Sequence, residues 1–198
     1  MNKTRLEAFS DGVFAIIITI MVLELKIPHG TSWEVIRPLL PKFFSYLLSF
    51  AFTAIYWGNH HHLLHTAQKV NAGVMWANAH LLFWLSLIPF ATGWMGENEF
   101  ERVTVATYGA LLIICGIAYG LLTAAIRKTH KEETRLTKAL SRGGLKAWIS
   151  TMLYGASIPI ALYVTPILAA ALFVIVAVIW IVPSKAIEEA LEHNEKGS

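Results

Sequence analysis

Two carboxylates and a run of histidines stand where this chain is otherwise apolar. Asp11 and Glu24 sit at opposite ends of one apolar stretch, with Ser10 beside the first. A charge inside a bilayer is costly, so such a carboxylate faces a partner, water or a moving ion. It can serve coupled transport of a proton or cation, or it can tie helices together. The run His60-His61-His62-x-x-His65 places His61 and His65 one helical turn apart, the spacing of a metal-binding histidine box. His60 or His61 facing His80 is the makings of bis-histidine haem ligation. Membrane metal centres of the histidine-box kind need several such boxes and this chain has one, so no cofactor or metal is expected. The plainer chemistry is hydrogen bonding, with Ser10, Asp11 and one histidine of His60 to His62 satisfying one another between helices.

The elements that carry these residues must be membrane helices. Of 198 residues, 56% are hydrophobic and only 15% charged, with a mean hydropathy of +0.55. An ordinary soluble domain is about 25% charged, so a soluble enzyme, a disordered chain and a disulfide scaffold are all excluded. Cys115 is the lone cysteine and lies in an apolar run. Six stretches approach the roughly 20 apolar residues of a membrane helix: 6–27, 43–65, 74–95, 103–126, 145–164 and 167–182. The expected fold is therefore an all-α membrane protein of six transmembrane helices in one domain, 1–198. The first run reads as a span rather than a signal peptide, being too long and lacking a small-residue cleavage site. Thr165-Pro166 leaves so short a connection that the last two spans must form an antiparallel hairpin. Pro89 and Pro159 read as kinks, and Gly116-x-x-x-Gly120 as a close-approach motif.

Lys and Arg set the orientation. With the N-terminus inside, the inner side holds Lys3, Arg5, Lys69, Arg127, Lys128, Lys131, Arg135, Lys138, Arg142, Lys185 and Lys196. The outer side holds Lys26, Arg37, Lys42 and Arg102. Both termini are thus expected in the cytoplasm, with 184–198 an amphipathic tail and a short helix over 132–140. The net charge of +3 comes largely from these orientation signals and points to no nucleic-acid partner.

Within the first span, helical spacing sorts the faces. At about 100° per residue, Phe9, Gly12, Ile16, Thr19, Ile20 and Leu23 fall on one stripe about 100° wide, while Ser10 and Asp11 lie well off it. The stripe suits lining an axis, core packing or lipid contact. The inner thirds of the spans collect Arg5, Ser10, Asp11, Trp57, Asn59, His60, His61, His62, Asn78, His80, Lys146 and Trp148 at one depth, and such groups must satisfy each other in a membrane.

Arg5-x-x-x-Phe9-Ser10-Asp11, running into Gly12-Val13-Phe14-Ala15-Ile16 and ending in Leu23-Glu24, resembles the first-helix pattern of the lysosomal and endosomal potassium channel family (the transmembrane protein 175 type) and its prokaryotic relatives. Eukaryotic members resemble two fused six-helix repeats; this chain has the length of one. The resemblance implies a homotetramer in the plasma membrane of a prokaryote, with the first helix of each subunit around a central cation path. Carried over, the hydrophobic constriction falls on Ile16, Ile20 and Leu23, and the hydroxyl that contributes to potassium preference falls on Thr19. Arg5, Phe9, Ser10 and Asp11 are implied to be structural, together here with His60, His61, Asn78 and Trp148. Glu24 stands at the outer mouth. No Thr-Val-Gly-Tyr-Gly loop occurs in the chain, so the expected function is a cation channel with modest preference for potassium over sodium and no carbonyl filter. Its expected partners are potassium and other monovalent cations, the lipid bilayer and its own copies. The alternative is a secondary transporter that uses Asp11 as its coupling carboxylate.

Overall fold

The computed structural model of the chain describes residues 2–130 and 144–181, and every regular element among them is helical. The helix expected over 132–140, the tail 184–198 and the charges Lys131, Arg135, Lys138, Arg142, Lys185 and Lys196 lie outside the described residues. Helix α1 spans Lys3–Leu23, α2 Leu40–His65, α3 Ala72–Leu85, α4 Ile88–Glu97, α5 Arg102–Arg127, α6 Gly144–Pro159 and α7 Pro166–Ile181. Five stretches are long and apolar enough to cross a membrane: Lys3–Leu23, Trp33–His65, Ala72–Glu97, Arg102–Arg127 and Leu145–Val164. Pro166–Ile181 is shorter and the most apolar of all, without one charged residue.

Local chemistry sets the helix ends. Asn2 opens α1 by accepting the Thr4 N–H, and Asn71 opens α3 by accepting the Val74 N–H at 2.9 Å. Pro41 sits in the first turn of α2 and Pro166 begins α7, where a missing N–H costs nothing. Helix α1 stops at Leu23, earlier than the apolar run that continues to Ile27, and Glu24 closes it.

Two prolines do more than bend. The third span is broken into α3 and α4, because Pro89 has no N–H to offer Leu85 and its ring crowds that carbonyl. Ser86 then caps the end of α3, its N–H on the Leu82 carbonyl and its hydroxyl on that of Phe83. After Pro159 the chain widens into a π turn, Ile160–Val164, closed by the Thr165 N–H on the Ile160 carbonyl at 2.9 Å.

Helix α1 lies against α2, α3 and α4; α5 lies against α3, α4, α6 and α7; and α7 returns along both α6 and α2. Trp180 near the end of α7 donates to Ser150 near the start of α6, so this pair runs antiparallel. Lipid is as apolar as leucine, so close packing rather than burial from water holds such helices together. Gly109 shows it on α5: a Cβ there would stand 2.7 Å from the Ser157 Oγ and 3.3 Å from the Phe173 ring. Gly96 lets α4 approach α2, where a Cβ would stand 2.9 Å from the Lys42 Cα and collide with the Ser45 side chain. Gly116 and Gly120 make no such approach, since a Cβ on either meets nothing within 4 Å.

Candidate functional site

Helix α1 has two faces with different fates. Leu6, Ser10, Phe14, Ile17 and Met21 recur every three or four residues and are buried against the neighbouring helices. The opposite stripe has no partner among the described residues. Phe9, Ile16, Ile20 and Leu23 are exposed, at 60%, 59%, 43% and 74%, and Gly12 and Thr19 between them are exposed as well. Thr19 donates its hydroxyl proton to the Ala15 carbonyl at 2.8 Å. Its oxygen therefore turns only lone pairs outward, and presents an acceptor. Ile16 to Leu23 covers about 10 Å along the axis at 1.5 Å per residue.

The buried face carries a polar relay across three helices. The Ser10 hydroxyl donates to the Leu6 carbonyl at 2.8 Å and accepts from the Asn78 amide at 3.0 Å. The Asn78 carbonyl oxygen lies 2.6 Å from His60 Nε2. Each step fixes the next: with the amide nitrogen spent on Ser10, the oxygen faces His60, which must carry a proton on Nε2. Ser10 and Asn78 are fully buried and His60 nearly so, with the Phe14 ring packed against the imidazole at 5.4 Å. On the flank of α1, the Trp57 indole donates to the Asp11 carboxylate at 2.9 Å. Lys3 ties the start of α1 to the end of α2 through the His65 carbonyl at 2.7 Å.

The remaining residues of the expected layer stand elsewhere. His61 is exposed, and its ring meets Trp57, His62 and His65 rather than the relay. Trp148 is 66% exposed on α6 and makes no hydrogen bond to the relay. Arg5 is exposed and has no hydrogen bond or ion pair among the described residues. At about 100° per residue it falls in the same sector as Ile16 and Leu23, so the spacing that marks the stripe also places Arg5 on it. Glu7, three residues before Ser10 on α1, keeps one carboxylate oxygen enclosed without a partner among the described residues; no spacing in the sequence singles it out. His80 accepts from Trp84 at 2.9 Å through Nε2, the nitrogen a haem iron would need, and the His60 Nε2 is likewise engaged. Among the described residues no three of His, Cys, Asp and Glu gather as a metal site would require.

At the far end of α1 a second set of charges meets. Glu97, closing α4, bridges Lys26 at 3.3 Å and Lys42 at 3.1 Å, joining the segment after α1 to the start of α2. Glu24 is exposed beside this group and borders a small cleft shared by α1, α2 and α4.

The chain as a whole has relatives. The sequence profile described as "Endosomal/lysosomal potassium channel TMEM175" matches residues 5–89, which hold α1, the relay and the break at Pro89. A potassium channel of Chryseobacterium sp. (strain P1-3) is 49% identical over 194 residues, covering 98% of this chain and all of the relative. A potassium channel of Streptomyces collinus is 30% identical over 152 residues, covering 72% of this chain and 74% of the relative. The crystal structure of a TMEM175 homologue from Chamaesiphon minutus shares the fold, with a TM-score of 0.74 at 24% identity over 90% of this chain and 96% of that one. By that end-to-end identity and the profile over residues 5–89, the chain belongs to the TMEM175 family, a family of ion channels and not of enzymes.

Proposed function

We propose that this chain is a potassium-permeable cation channel of a prokaryotic plasma membrane, and that four copies surround one path lined by α1. The observation that carries the reading is the bare stripe of α1: Ile16, Ile20 and Leu23 exposed on the face opposite the buried one, with an acceptor oxygen from Thr19 among them. Around an axis, four Ile16 side chains exclude water, the path dewets, and ions cannot pass until the helices tilt or rotate outward. An ion entering so narrow an apolar ring sheds part of its hydration. Potassium does so more readily than sodium, and the Thr19 lone pairs return a few oxygen contacts. The selectivity that results is modest and tolerates larger alkali cations. Glu24 raises the local cation concentration at one mouth. The excess of Lys and Arg on the side of the chain start supports cytoplasmic termini.

The transporter reading keeps one observation, the broken third span, since carriers place ion sites at interrupted helices. No ionisable residue lies between Leu85 and Pro89, however, and Asp11 is held on the protein's flank by Trp57. The test is potassium flux out of liposomes loaded with potassium and diluted first into sodium, then into a large impermeant cation. Potassium efflux down its own gradient, with no proton gradient imposed, supports the channel, and a Thr19→Val variant that conducts with less preference for potassium supports the ring. Saturating flux that requires a counter-ion returns the weight to Asp11 and a carrier.

A further inference from the structure

Helices α2 and α6 do not close against each other. Each finds other partners, α2 in α4 and α7, and α6 in α5 and α7, and a cleft remains between them with α5 as its floor. The cleft is open on one side, and about 540 Å³ lies between its walls only when the open space beyond its mouth is counted. Gly116 makes the floor deep, since a side chain there would project into open space. No lining residue is charged, and the walls are aromatic: Phe52, Tyr56, Tyr119, Tyr154 and Trp180.

The hydrogen bonds around the cleft leave a remainder. Ser150 donates to the Lys146 carbonyl and accepts from the Trp180 indole. Thr151 donates to the Ala147 carbonyl and Tyr119 to that of Asn59. The Asn59 amide nitrogen is spent on the Ile55 carbonyl at 2.8 Å. The hydroxyls of Tyr56 and Tyr154 and the side-chain oxygen of Asn59 then have no partner among the described residues, and none of the three is fully enclosed. Unpaired polar groups beside hydrocarbon are costly, and an acyl chain filling the cleft has nothing to give them. A ring bearing a hydroxyl does: its face packs on the aromatic walls, and its O–H donates to Asn59 and accepts from Tyr56. Asn59 lies six residues before the end of α2, about 9 Å along the axis at 1.5 Å per residue. The cleft is therefore at a depth that bilayer-partitioning amphiphiles reach.

We propose that this cleft binds small neutral phenol-like molecules from the bilayer, independently of any permeation path. A diazirine-bearing phenol, photolysed with the full protein in lipid nanodiscs and mapped by peptide mass spectrometry, tests it. Labels are expected to concentrate on Tyr56, Tyr119 and Tyr154 and to fall when unlabelled phenol is added in excess. Gly116→Leu should abolish that concentration by filling the floor. Tyr56→Phe, which leaves packing intact, should raise the phenol concentration needed for competition about fivefold, the worth of one neutral hydrogen bond. Labels spread over lipid-facing helices in proportion to exposure, or cleft labels that neither phenol nor Tyr56→Phe changes, would overturn the proposal and leave bulk partitioning only.

Discussion

Replacing Asn78 by leucine removes the middle of the relay while keeping its branched shape. Asn78 donates to Ser10 at 3.0 Å and accepts from His60 at 2.6 Å, and all three groups are buried. Ser10 loses only an incoming bond, since its own proton stays on the Leu6 carbonyl; membrane hydrogen bonds of this kind average about 0.6 kcal/mol. His60 loses more, because its Nε2 proton is left without an acceptor, and an orphaned buried donor costs about 1–3 kcal/mol. The expected destabilisation of Asn78→Leu is then about 2–4 kcal/mol per subunit, with no cavity term because leucine fills the site. The double variant Asn78→Leu with His60→Phe removes the orphan and keeps a ring against Phe14. It should recover about 1–2 kcal/mol, a coupling that a double-mutant cycle reads directly. Thermal unfolding of purified protein in detergent, followed by the near-ultraviolet signal of its tryptophans, measures all four corners. If Asn78→Leu is as stable as the parent, or the two substitutions simply add, the relay does not hold α1 and the reasoning fails.

Ile16→Asn should raise basal cation flux in liposomes by wetting the ring; a variant that conducts no better than the parent removes Ile16 from the constriction. Asp11→Ala should release Trp57 and reduce assembled oligomer, read by light scattering after chromatography, more than it alters ion preference. A well-assembled variant with altered preference contradicts that division. Gly109→Ala should cost about 1–3 kcal/mol as overpacking against Ser157 and Phe173. Gly116→Ala, projecting into open space, should cost nothing and gain slightly in helix propensity. Equal unfolding temperatures for the two glycine variants would refute the packing argument.

Periodicity along α1 was enough to separate its stripe from Ser10, because a helix has one pitch and apolar and polar residues alternate on it with little ambiguity. That Ser10 would meet a histidine between helices was legible for a related reason, as a bilayer leaves polar groups few other partners; the third member was not, since the expected Asp11 turns to Trp57 and Asn78 stands between Ser10 and His60. Which histidine serves was not, because His60, His61 and His62 differ by 100° steps whose origin depends on how α2 is rotated, and only tertiary packing fixes that rotation. The same limit hid the pairing of Trp57 with Asp11 and put Trp148 in a network it does not join. Pro89 shows a different limit. Its local rule frees one carbonyl, that of Leu85, but whether the helix bends or ends depends on the turn around it, where Ser86 bonds back to Phe83 and closes α3. Gly116-x-x-x-Gly120 reads as close packing from spacing alone, yet the close glycine on α5 is Gly109, since proximity depends on the partner helix as much as on the small residue.

The two faces of α1 are linked by geometry even though they share no contact. A rigid helix has one rotation about its axis, so whatever fixes Ser10 fixes the direction of Ile16. Slipping α1 by one residue relative to Asn78 would turn the stripe by about 100°, replacing Ile16 and Ile20 with neighbours from the flank. Leu6, Phe14, Ile17 and Met21 are all apolar, and their packing distinguishes such registers weakly. The Ser10–Asn78–His60 relay distinguishes them strongly, because only one register pairs every donor with an acceptor. On the proposed channel, the relay is what keeps the bare stripe aimed at the axis. Rotation of α1, the motion that would wet the ring, must therefore either carry α2 and α3 with it or break the relay at a cost.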